Sequence, residues 1–403
     1  METPTASRHA PRGLCTANLE PRTFSARAQQ VAVRSYQEPC MSLFQATSQF
    51  PVLGRLQKHE RATVFHLGTP KTGTTHIQSL SRTNQARLLA EGIVYPNVRA
   101  EIGDYAHHSL AGDLEAPSLG AAAADYAALQ SHSENIVISS EGFSELSPRG
   151  MAALANLHPE RSAFAVVYFR EMAGFLRSFT QELVKHGWAD SFATETYIVR
   201  LRSFAEDPAR HNLGNYRQIA ERCATAFGRS RTVFVAYNNV LDQGVDLFTH
   251  FWENVVGIPT RGMDISNPFP NRHVGFETLE TNRMLNVALL NIGEVPGPWV
   301  HRWLLENTCA IKAEVPELAG LRSFRNSMAI RSDSEHFLAV ERDLADHYGA
   351  HFLNASGRGR IFASTHESKL EWADIEEFGA AHPNAVKKLN SLARKCAKEA
   401  LRD

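Results

Sequence analysis

The chain has 403 residues, 43% of them apolar and 21% charged, with a formal net charge of −1. That length can bury the core of one large domain or two, and the composition is that of a soluble globular protein. The balanced charge excludes a general attraction to nucleic acid or to an anionic membrane surface, and no run approaches the roughly eighteen apolar residues of a membrane span.

Residues 1–60 carry Ser, Thr, Pro, Ala and Arg with little apolar periodicity, and much of this extension is expected to be disordered. It lacks the apolar stretch of a secretory signal. Glu2, Glu20 and Glu38 argue against a transit peptide, and Met41 is an alternative start. The cysteines, Cys15, Cys40, Cys223, Cys309 and Cys396, are scattered with no CxxC pair. They read as reduced thiols of a cytoplasmic protein, without a disulfide framework or a zinc site.

From Thr63 onward strand-like and helix-like signals alternate. The β-prone runs are Thr63–Leu67, Asn135–Ser139, Phe164–Phe169 and Thr232–Tyr237. In Tyr216–Phe227 the residues Tyr216, Ile219, Ala220, Cys223 and Phe227 share one helical face, and Gly228 stops the helix. Ser147-Pro148 reads as an N-cap followed by proline at the first helical position. Alternation of this kind predicts an α/β fold, a parallel sheet flanked by helices, over residues 61–270. Beyond it the strand signal fades. Leu285, Ala288, Leu289 and Ile292 keep helical spacing, and Ser332-Asp333-Ser334-Glu335 reads as a capping box before Phe337, Val340, Leu344 and Tyr348. Residues 271–403 are therefore expected to be a mainly helical C-terminal extension packed on the core.

Between the first strand and its helix lies "HLGTPKTGTTHIQSL", His66 to Leu80. Gly68 and Gly73 keep the spacing of a Walker A loop, GxxxxGK[ST], but Thr74 follows the second glycine and the lysine has moved inside the loop, to Lys71. The physics of a phosphate cradle survives the move: glycines allow the tight turn, backbone N–H groups face inward, and the helix N-terminus adds partial positive charge. Thr74 and Thr75 add hydroxyls. The bland alternative is a glycine turn with no ligand. Farther on, Arg170 closes an apolar strand and Ser178 follows eight residues later in a helical stretch. A strand end and a helix face can bring a guanidinium and a hydroxyl to one anion, although a lone arginine at a strand end is usually solvated or paired. Gln181 and Lys185 lie one and two turns beyond Ser178 and are weaker candidates for the same cleft.

Pro70-Lys71-Thr72-Gly73-Thr74-Thr75 resembles the 5′-phosphosulfate loop of sulfotransferases that use 3′-phosphoadenosine-5′-phosphosulfate (PAPS). The resemblance is closest to bacterial-type sulfotransferase-like proteins with a P-loop fold and covers most of residues 61–290. It is carried by "GTPKTGTT", Tyr95-Pro96, Ser139-Ser140-Glu141, the "VVY-R" strand end with its helical "S…Q..VK.G", and "NRHVGFETLETNRMLN" from Asn271 to Asn286. It implies transfer of a sulfuryl group from PAPS to a hydroxyl or amine of a carbohydrate or small molecule, with release of PAP and no metal. Thr69, Pro70, Lys71, Thr72, Gly73, Thr74 and Thr75 would hold the 5′ end, with Lys71 at the bridge between phosphate and sulfate. Arg170 and Ser178 would hold the 3′-phosphate.

A hydroxyl acceptor needs a base within hydrogen-bond reach. Glu141 follows a strand, at the carboxyl edge where open α/β sheets bind ligands. Its alternative is a loop carboxylate paired with a basic residue. His108 is the second candidate, and Glu91 a third, since some carbohydrate sulfotransferases place a glutamate after the loop helix. His66 reads as packed within the strand. Acceptor contacts are expected from residues 97–120, with Asp104, His107 and His108, and from residues 186–215, with Trp188 and Tyr197; both aromatics read equally as core. Two other readings stand beside this one: a P-loop nucleotide or metabolite kinase, disfavoured by the displaced lysine and the lack of a Walker B aspartate, and a non-catalytic nucleotide-binding member of the same fold.

Overall fold

The computed structural model describes residues 51–57, 59–98, 106–116, 120–187, 194–266, 274–356, 360–363 and 367–400. The extension up to residue 50, with Cys15, Cys40 and Met41, lies outside the described residues, as do Asp104, Trp188 and Asn271. From Pro51 the chain already packs on the core: Val52 is buried and its N–H donates to the Val255 carbonyl at 2.7 Å.

Five strands, β1 (Ala62–Gly68), β2 (Ile93–Val94), β3 (Asn135–Ser140), β4 (Ser162–Phe169) and β5 (Thr232–Ala236), form one sheet in the order β2–β3–β1–β4–β5. All pairs are parallel. The strands form where β-branched and aromatic residues run together, and successive side chains enter opposite faces. Phe65 and Leu67 of β1 join Ile136, Ile138, Val167 and Phe169 in one core. Val64 joins Val137, Phe164, Val166, Val233 and Val235 in the other. Burial on both faces explains why these strands read as continuous apolar runs.

The helices that matter for the site are α1 (Thr74–Thr83), α2 (Met172–Lys185), α3 (Tyr216–Phe227), α4 (Phe276–Asn291), α5 (Pro298–Glu314), α6 (Glu335–Tyr348) and α7 (Pro383–Ala400). In α3 the five apolar residues picked out by spacing are buried, and Gly228 caps the end at φ 84°. Ser147 caps the helix that starts at Pro148, accepting from the Gly150 N–H. A third core, among the C-terminal helices, holds Leu285, Leu289, Val300, Leu304, Phe378 and Leu392.

Three features depart from expectation. β2 is only two residues long, too short for any periodicity. The helical C-terminal region also holds an antiparallel pair, β6 (Arg325–Arg331) and β7 (Glu367–Ala373). β6 shows no apolar alternation because almost all of it is exposed, whereas β7 does alternate, burying Ser368, Leu370 and Trp372. Finally, the capping box before α6 is not made: Ser334 is the N-cap without a side-chain cap bond, and its buried hydroxyl has no partner.

Several contacts tie the C-terminal region to the core. Asn354 lies against the edge strand β5, accepting from the Ala236 N–H at 2.8 Å and donating to its carbonyl at 3.0 Å, which covers a sheet edge. In α4, Glu280 and Arg283 form an ion pair at 2.6 Å with both side chains fully buried. Glu280 also accepts from the Ala373 N–H at 2.9 Å, and Arg283 donates to the Ala373 carbonyl and faces the Tyr197 ring. Removing one partner strands the other charge in the interior. Glu280→Ala should therefore cost about 3–5 kcal/mol in denaturant unfolding, and a loss below about 1 kcal/mol would show that the buried guanidinium is otherwise satisfied.

Candidate functional site

Register brings the functional segments together. β1 lies between β3 and β4, with Leu67 opposite Ser140 on one side and Gly68 opposite Tyr168 on the other. The turns that follow the three strands therefore start at one level: the loop 69–73 after β1, Glu141 after β3 and Arg170 after β4. From β1 the sheet grows outward in both directions, so this is its switch point, where open α/β sheets form a crevice.

The loop is built around its two glycines. A Cβ on Gly68 would stand 1.9 Å from the Thr74 hydroxyl oxygen, so only glycine lets α1 start that close to the strand. Gly73 sits at φ 75°. Between them Lys71 also adopts the left-handed conformation, φ 70°, the only non-glycine residue to do so among the described residues. Such a conformation costs a side-chain-bearing residue about 1–3 kcal/mol and persists only where the surroundings impose it. Here they do. The Arg170 guanidinium donates to the Lys71 carbonyl at 3.0 Å, the Thr72 hydroxyl to the Thr69 carbonyl at 2.7 Å, and the Thr69 hydroxyl to the Tyr168 carbonyl at 2.8 Å. Helix α1 begins at Thr74 with no side-chain cap, so its first N–H groups face the loop.

Arg170 is held by four neighbours. Besides the Lys71 carbonyl, its Nη1 donates to the Ser178 hydroxyl at 3.0 Å, the Tyr216 hydroxyl donates to its carbonyl at 2.8 Å, and its guanidinium lies 5.4 Å from the Tyr237 ring centroid. Its Nε is buried and has no partner, an orphaned donor in a crevice otherwise well satisfied. Glu171 fixes the start of α2 by accepting from the Ala173 and Gly174 N–H groups, which sets Ser178 two turns along the helix.

The Lys71 ammonium meets Glu182 of α2 at 2.9 Å. The same carboxylate lies 2.8 Å from Lys185 Nζ and 3.4 Å from His186 Nε2. Burial pushes the Glu182 carboxyl up, but the His186 hydrogen bond and the charges of Lys71 and Lys185 outweigh it and hold the group well below the usual carboxylate range. Glu141 goes the other way. Burial raises it, Lys71 opposes, nearby Glu182 adds repulsion and a hydrogen bond with Thr74 opposes; the balance is a carboxyl at about 7. Two carboxyl groups beside one lysine are thus driven apart, one fixed as an anion and one poised near neutrality.

The structure brings Lys71, Gly73, Thr74, Glu141, Arg170 and Ser178 to this crevice. Thr69 and Thr72 are buried and spend their hydroxyls on backbone carbonyls, of Tyr168 in β4 and of Thr69 in the loop, so only their backbone is available to a ligand. Pro70 is half-buried and Thr75 exposed. His108 reaches the same strand end, with Nδ1 3.0 Å from the Ser140 hydroxyl. His107 is buried against the backbone of Ser139 and Pro96, and Glu91 is exposed after a short helix. Tyr197 is core, under Arg283. His66 is buried, with Nδ1 2.8 Å from the Ser139 hydroxyl, and burial lowers it to about 3.

Sequence reasoning missed Glu182, His186 and His301. Glu182 shares a stripe of α2 with Ser178 and Lys185, four residues after one and three before the other, so the helix face was legible although the Lys71 contact was not. His301 comes from α5 and is coupled electrostatically to Lys185, Glu182 and His186. Asn282 and Asn286 of α4 donate to the Val184 carbonyl at 3.3 and 2.8 Å, anchoring the end of α2 that carries the cluster. Among the described residues no group of His, Cys, Asp and Glu side chains is arranged to hold a metal ion, and no helix is long and apolar enough to cross a membrane.

No family model matches the chain, and no curated protein matches it. A solved sulfotransferase from Alicyclobacillus acidocaldarius aligns at 15% identity over 58% of this chain and 92% of its own, with a TM-score of 0.35. A likeness at this level is too weak to bear on either fold or activity.

If the loop imposes the left-handed turn, Lys71→Gly should be more stable than Lys71→Ala by about 1 kcal/mol in denaturant unfolding. Equal stability would mean that the turn is unstrained. The Glu141 carboxyl should titrate near 7 by carbon-13 NMR; a midpoint in the ordinary glutamate range would contradict the burial and repulsion assigned to it.

Proposed function

We propose that the protein is a PAPS-dependent sulfotransferase acting on a hydroxyl or amine of a carbohydrate or small molecule and releasing PAP. The observation that carries this reading is the direct bond between Arg170 and the Lys71 carbonyl, which sets two candidate anion sites side by side in one crevice. One site has Lys71, the loop amides and the start of α1; the other has the orphaned Arg170 donor and Ser178. An adenosine with phosphate at both ends of its ribose needs such a pair.

When bound, the donor would supply the sulfuryl group and depart carrying extra negative charge on its 5′-phosphate. Lys71 and the loop N–H groups would hold that charge. Glu141, near neutrality, is suited to take the acceptor's proton. His108, beside Ser140, is the second candidate for that role. Confinement of both reactants at one strand edge would supply the rest of the rate.

A second reading, phosphoryl transfer from a magnesium nucleotide, draws on one observation. Thr74 opens α1, the first helix after β1, and Glu141 follows β3, the neighbouring strand, and a hydroxyl near an acid at such a strand end is a pairing that can hold magnesium. A carboxyl at about 7 is a poor magnesium ligand at neutral pH, and the lysine within the turn is not where that chemistry places it. Thermal shift separates the two: PAP alone should stabilise the protein, and stabilisation by ATP with Mg²⁺ but not by PAP would favour the kinase.

Lys71→Ala should abolish transfer from labelled PAPS while leaving the fold intact. Arg170→Ala should weaken PAP binding in calorimetry by about tenfold or more, and unchanged affinity would remove the second anion site. Glu141→Gln should lower turnover by about 10²–10⁴-fold. The base must be deprotonated, so the rate should rise with pH through about 7 and lose that limb in Glu141→Gln. A limb that survives the substitution, together with loss of rate in His108→Ala, would move the role to the histidine.

A further inference from the structure

A polyanion site has no evident use for a half-buried carboxylate on its lysine, yet Glu182 lies 2.9 Å from the Lys71 ammonium with about a fifth of its side chain exposed. Two further groups hold the same carboxylate, Lys185 at 2.8 Å and His186 at 3.4 Å. Both sit on or just after α2, the helix that carries Glu182, whereas Lys71 belongs to the loop. The groups facing Glu182 are thus Lys71 from the loop, Glu141 from the turn after β3, His301 from α5, and Lys185 and His186 beside it in the chain.

We infer that Glu182 is an internal counter-anion: it occupies Lys71 in the free protein and yields it to the donor's 5′ anion, while Lys185 and His186 retain the carboxylate. The inference rests on the reading that Lys71 binds that anion. A carboxylate left bare in a partly desolvated crevice would be strongly unfavourable, so Lys71 can leave only if other partners remain, and they do. Glu182 thereby acts as a positioning residue that sets a threshold for ligands. A monoanion gains little by replacing one carboxylate with another. A phosphomonoester dianion or a mixed anhydride, carrying more charge and more acceptor oxygens, gains enough to displace it.

The two directions of effect are opposite and testable by calorimetric titration of the full chain with PAP. Glu182→Gln keeps the shape and removes the charge; PAP should bind about tenfold or more tightly than to the parent, as for loss of a partly buried competing charge. A purely structural role would weaken binding instead. Lys185→Met removes the partner that keeps Glu182 after release, so PAP should bind about tenfold more weakly. In the Glu182→Gln background the same lysine substitution should have little effect. Unchanged or weaker binding in Glu182→Gln overturns the inference, as does a Lys185→Met loss that persists without the carboxylate, which would make Lys185 a direct ligand. Should Glu182→Gln fail to fold, unchanged affinity in Lys185→Met overturns it alone. A parent chain that binds no PAP removes the proposed function and this inference together; a parent that binds PAP with neither variant altered removes only the inference.

Discussion

The site depends on one hydrogen bond, from the Arg170 guanidinium to the backbone carbonyl of Lys71. A lysine in a left-handed conformation is unfavourable by itself, and an arginine at the end of a parallel strand would ordinarily be solvated. Joined, each accounts for the other. The carbonyl turned outward by the strained residue becomes the acceptor for the guanidinium, and the guanidinium holds the loop in the one shape that directs the ammonium toward α2. The bond crosses from the turn after β1 to the turn after β4, and the parallel register at Gly68 and Tyr168 makes that crossing short.

Electrostatics then divide the crevice. Lys71 has one strong partner, Glu182, and one weaker neighbour, Glu141. Because Glu182 is surrounded by three basic groups it remains an anion, and because it remains an anion it helps push Glu141 upward. A group that is half protonated at neutral pH is a product of this arrangement rather than of burial alone. The C-terminal region takes part: Asn282 and Asn286 of α4 hold the end of α2, and α5 brings His301 beside it. The helical extension thus supports a wall of the site as well as the protein's third core.

Much of this was legible in the residues. The central strands announced themselves because burial on both faces demands unbroken apolar runs, and α3 because its apolar spacing closes on a glycine. The loop was legible because a turn this tight tolerates few residues at Gly68 and Gly73. Elsewhere the local signal was absent or misleading. β2 is too short to show a period, β6 is too exposed to show alternation, and Ser334 has the composition of a cap without making one. Most of the missed chemistry is tertiary. Glu182 lies 111 residues from the lysine it binds, and an exposed-looking charged stripe on a helix ordinarily faces only water.

The most direct measurement of the central claim, that two anion sites share one crevice, compares two adenosine ligands by calorimetry in the absence of Mg²⁺: PAP, with phosphate at both ends of the ribose, and adenosine 5′-phosphate, with one. Each charge-assisted hydrogen bond is worth about 1.5–3 kcal/mol, so PAP is expected to bind about a hundredfold or more tightly than the monophosphate. Equal affinities, or binding of neither ligand, would mean that Lys71 and Arg170 do not together form a nucleotide site.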